Sequence, residues 1–285
     1  MLWIRPAQPA LIRDKKISGH GFKGHSTNLV SIPTGLLAST AFNDYPLPLS
    51  INGVREMNRP FFDMLAKASS SAEAGDIFEH YMQLLFGLDG TALVGDEGSK
   101  RRFRSSYRRL LEGWGFDSNG PEGAVLKGWV ESRFGLLPTF HKESLGRFPS
   151  PAWIAYVEEK MSSRFHNNSI NLQLDLLYEF CQWMLARWFA PGCRHLTLYR
   201  GINGFDEHQI IERTDKRSAV IRQNNLVSFT ANRIIADEFG DTILEAQVPA
   251  VKIIFFNGLL ARHPLKGEGE YLVIGGDFRV TMSYL

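Results

Sequence analysis

The stretch "HLTLYRGI", residues 195–202, is where the pattern of the chain changes, and this change decides the predicted fold class. From here the chain consists of short runs rich in Val, Ile, Leu, Thr and aromatic residues, separated by Gly, Asn and Pro, which is the pattern of β-strands. One helical segment, "ANRIIADEFG" (231–240), interrupts them. The later strand-like runs are "NLVSFT" (225–230), "TILEAQV" (242–248), "VKIIFF" (251–256), "EYLVI" (270–274) and "FRVTMSYL" (278–285).

The preceding residues, from about 55 to 190, have the spacing of helices. Ser70 and Glu73 are spaced as a capping box, and Ser150 precedes Pro151 as an N-cap precedes the first helical position. A third apolar helix, "LQLDLLYEFCQWMLARWFAPG" (172–192), ends at its Pro-Gly pair. Apolar residues recur at helical spacing in the first of these helices and form one predicted apolar face in the second: Ile77, Phe78, Tyr81, Met82 and Leu85 in the first, and Trp153, Ile154, Val157 and Met161 in the second.

The predicted architecture is therefore α+β. A mainly helical part, residues 1–192, is expected to pack as one unit with a β-rich core, residues 193–285. With 285 residues, of which 44% are hydrophobic and 22% charged, the composition is that of a globular protein with a substantial core. The formal net charge of +2 neither requires nor excludes an acidic partner.

Cysteine usage and the first residues indicate the compartment. Cys181 and Cys193 form neither a disulfide framework nor a C-x-x-C pair, which favours reducing conditions. The opening "MLWIRPAQPALIRDKK" has Arg5 and two prolines where a secretion signal has an apolar run. No segment approaches the roughly 20 apolar residues of a membrane-spanning helix. We expect a soluble cytoplasmic protein.

Three other features of the sequence give weaker functional signals. "GHGFKG" (19–24) fits the dinucleotide fingerprint, but no apolar strand precedes it and Pro33 interrupts the helix that should follow. The basic run "KRRFRSSYRR" (100–109) fits a solvated helix face, a docking patch for an acidic protein or, with Phe103 and Tyr107 as stacking partners, a nucleic-acid site. The rest of the chain is not basic, so nucleic acid is the least favoured of these. The eight histidines are scattered, and no metal site is predicted.

Polar residues in the predicted strands give the strongest functional pattern. Each has an alternative explanation: an ion pair at a sheet edge for Arg200, a cap of the helical segment 231–240 for Ser228, and a solvated turn for Glu268 and Glu270. Because they occur in the order Arg, Ser, Glu-x-Glu within one β-rich segment, they support one another. The residues are Arg200 and Gly201 in the first strand, Ser228 and Thr230 in the second, and Glu268 and Glu270 before and at the start of "EYLVI".

This order resembles the R-S-E class of mono-ADP-ribosyltransferases, which cleave NAD at the nicotinamide–ribose bond and attach ADP-ribose to protein. The segment "NLVSIPTGLLASTAFNDYPLPLSINGVREMNRPFFDML" (28–65) extends the resemblance to the dinitrogenase-reductase ADP-ribosyltransferases of nitrogen-fixing bacteria. The resemblance covers most of the chain. It implies a split β-sandwich NAD-binding core, with NAD consumed as co-substrate and no metal required.

The resemblance also implies roles for the residues. Arg200 grips phosphate or ribose oxygens through its planar fork of donors, and Gly201 lets backbone groups approach the nicotinamide. Glu270 stabilises the positive charge that develops on the ribose, and Ser228 holds Glu270 in place. Glu268 pairs with the arginine that accepts ADP-ribose.

Two further positions are less well defined. Phe239 lies where related enzymes have an aromatic residue that stacks on nicotinamide, and core packing explains it equally well. The usual Ser-Thr-Ser triplet is replaced by Ser228-Phe229-Thr230, which leaves the role of Thr230 in NAD binding open.

The expected protein substrate, by resemblance, is dinitrogenase reductase, the iron protein of nitrogenase, which the modification inactivates. A PII-type signalling protein is the expected regulator. An arginine-specific transferase with another target and a non-catalytic NAD-sensing or docking protein are the alternatives. No nucleic acid and no membrane span are expected.

Overall fold

The computed structural model describes residues 24–88, 106–162, 168–203, 209–261, 265 and 269–284. The first part is helical, as predicted, apart from one small hairpin of β1 (Phe140–His141) and β2 (Glu143–Ser144). None of the helices in the described ranges is both long and apolar enough to cross a membrane. The helices of this part are α1 (Thr34–Leu37), α2 (Thr40–Asp44), α3 (Val54–Met57), α4 (Arg59–Leu65), α5 (Ser71–Phe86), α6 (Tyr107–Phe116), α7 (Pro121–Phe134), α8 (Pro151–Lys160) and α9 (Asn168–Met184), which continues as a π-helical turn (Leu185–Phe189).

The predicted helix starts are confirmed by their caps. The Ser70 hydroxyl accepts a hydrogen bond from the Glu73 amide at 3.2 Å, and Ser150 caps α8 with Pro151 in its first turn. The capping box differs from the predicted one in its second half. The Glu73 carboxylate accepts from the backbone amide of Ser69, at 2.7 Å, and not from that of Ser70.

The predicted apolar face of α8 is wrong. The side chains expected to be buried are exposed: Ile154 (53%), Val157 (37%) and Met161 (57%). The face that packs against α7 carries Trp153 and Tyr156, both of which are buried. Trp153 belongs to both the predicted face and the observed one. The aromatic face packs against α7 because its burial removes more apolar surface from water than burial of the predicted face would.

The second part forms a sheet that has six strands within the described residues, in the order β4-β5-β3-β6-β8-β7 with an additional β5–β8 pairing. The pairings β3–β6, β6–β8, β8–β5 and β5–β3 make a closed circuit of four antiparallel strands. The only α-helix described within it is α10 (Arg233–Asp237), in the predicted helical segment, and a 3-10 helical turn (Ala250–Lys252) precedes the last two strands. The strands are β3 (His195–Ile202), β4 (Gln209–Arg213), β5 (Ser218–Thr230), β6 (Thr242–Pro249), β7 (Ile253–Phe256) and β8 (Glu270–Tyr284).

The prediction of two separate strands at 270–274 and 278–285 is wrong, because β8 is continuous through Gly275 and Gly276. A Cβ atom on Gly275 would lie 1.6 Å from the carbonyl oxygen of Asn224, in the bulge of β5. Gly276 has φ of 120° and packs against the backbone of Ala38. These glycines therefore permit close approach of neighbouring backbone, and they do not mark a turn between strands.

The helices pack directly against the sheet. One apolar core contains buried residues of both parts, among them Phe78 and Phe180 from helices and Leu244 and Ile274 from strands. The Tyr178 hydroxyl of α9 donates to the carbonyl oxygen of Val251 at 2.8 Å, next to β7. The division of the chain at residue 192 stays a prediction.

Replacing Gly275 by Ala tests the explanation of the continuous strand. We expect Gly275→Ala to lower the free energy of unfolding by about 2 kcal/mol or more, because the new methyl group overlaps the Asn224 carbonyl. Gly35→Ala in α1 is the control, since no atom lies within 4 Å of its added Cβ and it should be neutral or stabilising by up to about 1 kcal/mol. Urea denaturation measures both. Equal stability of the two variants would contradict the explanation.

Candidate active site

Arg200, Ser228 and Glu270 come together where three strands meet. The Ser228 hydroxyl donates a hydrogen bond to Oε1 of Glu270 at 2.7 Å. The Arg200 guanidinium donates through Nη1 to the backbone carbonyl oxygen of Ser228, also at 2.7 Å. Three residues that are far apart in the sequence thus form one hydrogen-bonded cluster.

Strand register creates this cluster. Tyr199 of β3 and Glu270 of β8 are both paired with Thr230 of β5. Ser228 lies two residues before Thr230, so its side chain is a diagonal neighbour of Glu270 across the strand pair. Arg200 follows Tyr199 directly in the adjacent strand.

A residue of the helical part completes the cluster. The indole Nε1–H of Trp114, in α6, donates to the Ser228 hydroxyl oxygen at 2.9 Å. Trp114 belongs to the buried stripe of α6, with Tyr107, Leu110 and Leu111. No motif in the sequence points to Trp114. The i, i+3, i+4, i+7 spacing of this stripe predicts a buried helical face, but it carries no information that the face meets β5.

A cavity of about 430 Å³ lies beside this cluster, between the helical part and the sheet. No carboxylate is among the described residues that line it, whereas three cationic side chains are. Of these, Arg222 is neutralised by a two-pronged ion pair with Asp277, at 2.7 and 2.8 Å. The cavity therefore favours an anionic ligand. Its lining consists of Trp114, Ser118, Asn119, Lys127, Thr139, Phe140, Ser144, Arg200, Gln209, Arg222, Gln223, Asn224, Leu226, Val227 and Ser228.

Lys127 of α7 is a buried cation of this lining, and only 1% of it is exposed. Its Nζ contacts Oδ1 of Asn119 at 3.0 Å, the carbonyl oxygen of Phe140 at 3.2 Å and Nδ1 of His141 at 3.2 Å. Because an ammonium group only donates, Nδ1 of His141 accepts and its Nε2–H donates to Glu159, at 2.8 Å. Burial lowers the pKa of Lys127 to about 8, and burial also lowers the pKa of His141.

Two buried donors of the lining have no acceptor among the described residues. They are Nε of Arg200 and Nε2 of Gln223, whose residue is 4% exposed. Burial lowers the pKa of Arg200 to about 10, while the nearby Glu270 carboxylate favours its charged form. A buried donor without a partner costs about 1–3 kcal/mol. A ligand rich in oxygen acceptors would remove this cost.

The position of Gly201 requires a glycine because of close packing, whereas the expected reason was an approach of backbone groups to nicotinamide. A Cβ atom there would lie 1.9 Å from the carbonyl oxygen of Ala236, because α10 lies directly on β3. Gly240 is constrained in the same way, with its added Cβ 2.2 Å from the carbonyl oxygen of Ile202. The role of Gly201 towards nicotinamide stays a prediction.

Three of the alternative explanations are wrong. Asn232 caps α10 by accepting from the Ile234 amide at 3.0 Å, so Ser228 is not its cap. Arg200 lies in β3, between β5 and β6, and therefore not at a sheet edge. Phe239 is 63% exposed, which excludes core packing and leaves its predicted stacking role in place as a prediction.

Thr230 is almost completely buried, with 7% exposed. Its Oγ1 accepts a hydrogen bond from the Asn232 amide at 3.1 Å, in the turn that leads into α10. Thr230 therefore stabilises the turn that leads into α10. Its role in NAD binding stays a prediction.

Glu268 lies outside the described residues, as do residues 100–105 of the basic run and 19–23 of the glycine-rich motif. Side chains two residues apart, such as those of Glu268 and Glu270, leave the same face only where the backbone between them is extended. The backbone is not extended at Gly269, whose φ is 60°, in the left-handed region. In the part of the chain that the structure describes, no group of three or more His, Cys, Asp or Glu side chains is arranged to hold a metal ion.

Comparison with known proteins agrees with the resemblance in sequence. Residues 27–282 match the family model described as dinitrogenase reductase ADP-ribosyltransferase. A relative from Rhodospirillum rubrum, named NAD(+)--dinitrogen-reductase ADP-D-ribosyltransferase, is 63% identical over 265 residues, which are 92% of this chain and 96% of the relative. No solved structure matches the chain.

The lowered pKa of Lys127 predicts a pH-dependent stability. Between pH about 8 and the ordinary lysine pKa of 10.5, the unfolded chain binds a proton that the folded chain has lost. Stability should therefore rise with pH across this window, by up to about 3 kcal/mol, relative to Lys127→Met. Below pH 8 both states bind the proton and the two proteins should show parallel pH dependence. Urea denaturation at several pH values measures this, and parallel curves up to pH 10 would contradict it.

Proposed function

The chain belongs to the dinitrogenase reductase ADP-ribosyltransferase family, and from this premise we propose that it transfers ADP-ribose from NAD to an arginine of dinitrogenase reductase. Nicotinamide is released, and the modified iron protein leaves nitrogenase inactive. The observation that carries the proposal is the hydrogen-bonded cluster of Arg200, Ser228 and Glu270 beside a cationic cavity.

The cavity suits the pyrophosphate and ribose of NAD. A volume of about 430 Å³ lies within the usual range of small-molecule sites. The two charges of the pyrophosphate face the cations Arg200 and Lys127, of which Arg200 presents a planar fork of donors. The Nε donor of Arg200 and the Nε2 donor of Gln223, which have no acceptor among the described residues, supply hydrogen bonds to NAD. NAD is consumed in the reaction, and no metal is needed.

The carboxylate of Glu270 supplies the catalytic charge. Cleavage of the nicotinamide–ribose bond develops positive charge on the ribose, and a carboxylate fixed beside it stabilises the transition state more than the ground state. Ser228 fixes that carboxylate through its hydrogen bond to Oε1. We assign Glu268 to the incoming arginine, whose guanidinium is a poor nucleophile until it is oriented and helped to lose a proton.

We further infer that the β-rich part is a split β-sandwich. The closed circuit of β3, β6, β8 and β5 supports two layers that share the long strands β5 and β8. Location in the cytoplasm and regulation by a PII-type protein remain proposals that rest on composition and on the resemblance. No residue is assigned to that regulator.

Label transfer from NAD to dinitrogenase reductase tests the function. We expect wild type to label one arginine and to release nicotinamide, and Glu270→Gln to lose both activities by about 100-fold or more while staying folded. Glu268→Gln should lose transfer but still release nicotinamide slowly. Cleavage of NAD without labelling of the iron protein would exclude the proposed target. Absence of cleavage by the folded wild-type protein would exclude the function itself.

Gln223→Met tests the assignment of the cavity to NAD. The change removes an unpaired buried donor, so it should raise the KM for NAD about 10-fold with kcat nearly unchanged. It should also raise the free energy of unfolding of the free protein by about 1 kcal/mol. Gln182→Met is the control, because its Nε2 donates to the carbonyl oxygens of Ala250 and Ile253, away from the cavity. It should lower stability without changing KM, and an unchanged KM in Gln223→Met would contradict the assignment.

A further inference from the structure

We propose that Trp114 is a positioning residue of this reaction, which orients the Ser228 hydroxyl so that its single hydrogen points to Glu270. The inference rests on the proposed function for its catalytic consequence, but its hydrogen-bond geometry is independent of that function. Through Trp114, the helix α6 orients a side chain of the sheet that takes part in the proposed reaction.

The direction of the hydrogen bonds follows from what each group can do. An indole N–H only donates, and an ionised carboxylate only accepts. The Ser228 hydroxyl lies between them, 2.9 Å from Nε1 of Trp114 and 2.7 Å from Oε1 of Glu270. It therefore accepts from Trp114 and must give its only hydrogen to Glu270. Without the indole donor, the hydroxyl loses one of the two contacts that fix its rotation.

Trp114 is itself rigidly held. Only 5% of it is exposed, and it lies in the same buried stripe as Leu110 and Leu111 of α6. The ammonium group of Lys127 lies 5.9 Å from the centre of its ring, within the range of a cation–π contact. Because the indole ring is held at its edge and at its face, its N–H points in one fixed direction towards the Ser228 hydroxyl.

The consequence for the reaction is a more precisely oriented Glu270 carboxylate. Trp114 lines the cavity, but the contacts proposed for NAD binding come from Arg200, Lys127 and Gln223 and do not involve the indole N–H, and Trp114→Phe keeps an aromatic ring in the lining. Loss of that N–H should therefore lower kcat and leave the KM for NAD nearly unchanged. The expected decrease is about tenfold, the effect of one hydrogen bond in a network that acts on a charged group.

Trp114→Phe is the direct variant, since it removes the N–H and keeps an aromatic ring against Lys127. Trp153→Phe is the matched control, because Trp153 is 6% exposed and also donates through Nε1, to the Gly146 carbonyl oxygen at 3.3 Å in a separate core cluster. We expect kcat to fall about tenfold in Trp114→Phe only, with both melting temperatures lowered to a similar degree. Equal kcat in the two variants would overturn the inference.

A double-mutant cycle separates positioning from packing. In a Ser228→Ala background the hydroxyl is absent, so Trp114→Phe should change kcat less than twofold. A further tenfold decrease in that background would mean that Trp114 acts on the site through packing alone, and it would overturn the inference.

A spectroscopic measurement keeps the test independent of activity. The chain has six tryptophans, and the indole N–H signal of Trp114 in a ¹⁵N-labelled protein is the one that Trp114→Phe removes. Ser228→Ala removes the acceptor of this N–H, and Glu270→Gln changes the acceptor strength of the Ser228 hydroxyl, so both should shift the signal, while the signal of Trp153 stays in place. If neither variant shifts it, the chain of hydrogen bonds is absent even if the enzyme is active. If both shift it and the protein does not cleave NAD, the positioning contact stands and the proposed function fails.

Discussion

The antiparallel pairing of β8 with β5 sets the positions of the neighbouring strands and of the residues in the hydrogen-bonded cluster. It extends from Ser218 opposite Thr281 to Thr230 opposite Glu270. Because side chains alternate between the faces of a strand, a slip of one residue in this register would turn Glu270 away from Ser228. The same pairing closes the circuit of strands that brings Arg200 beside them. The geometry of the proposed catalytic cluster is thus a direct consequence of strand register.

The helical part secures this register from outside the sheet. Its α7 segment meets the β5 bulge, where the side-chain amide of Asn225 donates to the carbonyl oxygens of Lys127 and Leu136 at 2.8 and 2.9 Å. The neighbouring Asn224 bonds to the backbone of Thr139 and Phe140. The bonds to Leu136 and Thr139 pair backbone groups of the loop that follows α7. They also fix the position of α7 relative to β5, and with it the position of Lys127 in the lining of the cavity.

The cavity has a polar lining that is costly for the free protein. It contains a lysine whose pKa burial lowers to about 8, and two buried donors without acceptors among the described residues, on Arg200 and Gln223. Each opposes folding, and each would be relieved by an anionic ligand with several oxygen acceptors. Such locally unfavourable groups are typical of binding sites, where stability is given up for affinity. The same residues therefore connect the energetics of the fold to the proposed binding of NAD.

The local features of this protein can be predicted from its sequence: the helix starts at Ser70 and Ser150, the α+β order, and the grouping of Arg200, Ser228 and Glu270, which the strands bring together. These features depend on neighbouring residues, on periodicity and on a motif that survives in the order of the chain. Packing between distant elements settles three other features: "IGGD" continues a strand, α8 buries its aromatic face, and Trp114 and Gln223 line the cavity beside the cluster. The physical reason is that these outcomes depend on which surfaces meet. A glycine pair permits both a turn and a close backbone contact, and an apolar helical stripe packs equally well on a helix or a sheet, until the neighbouring elements are in place.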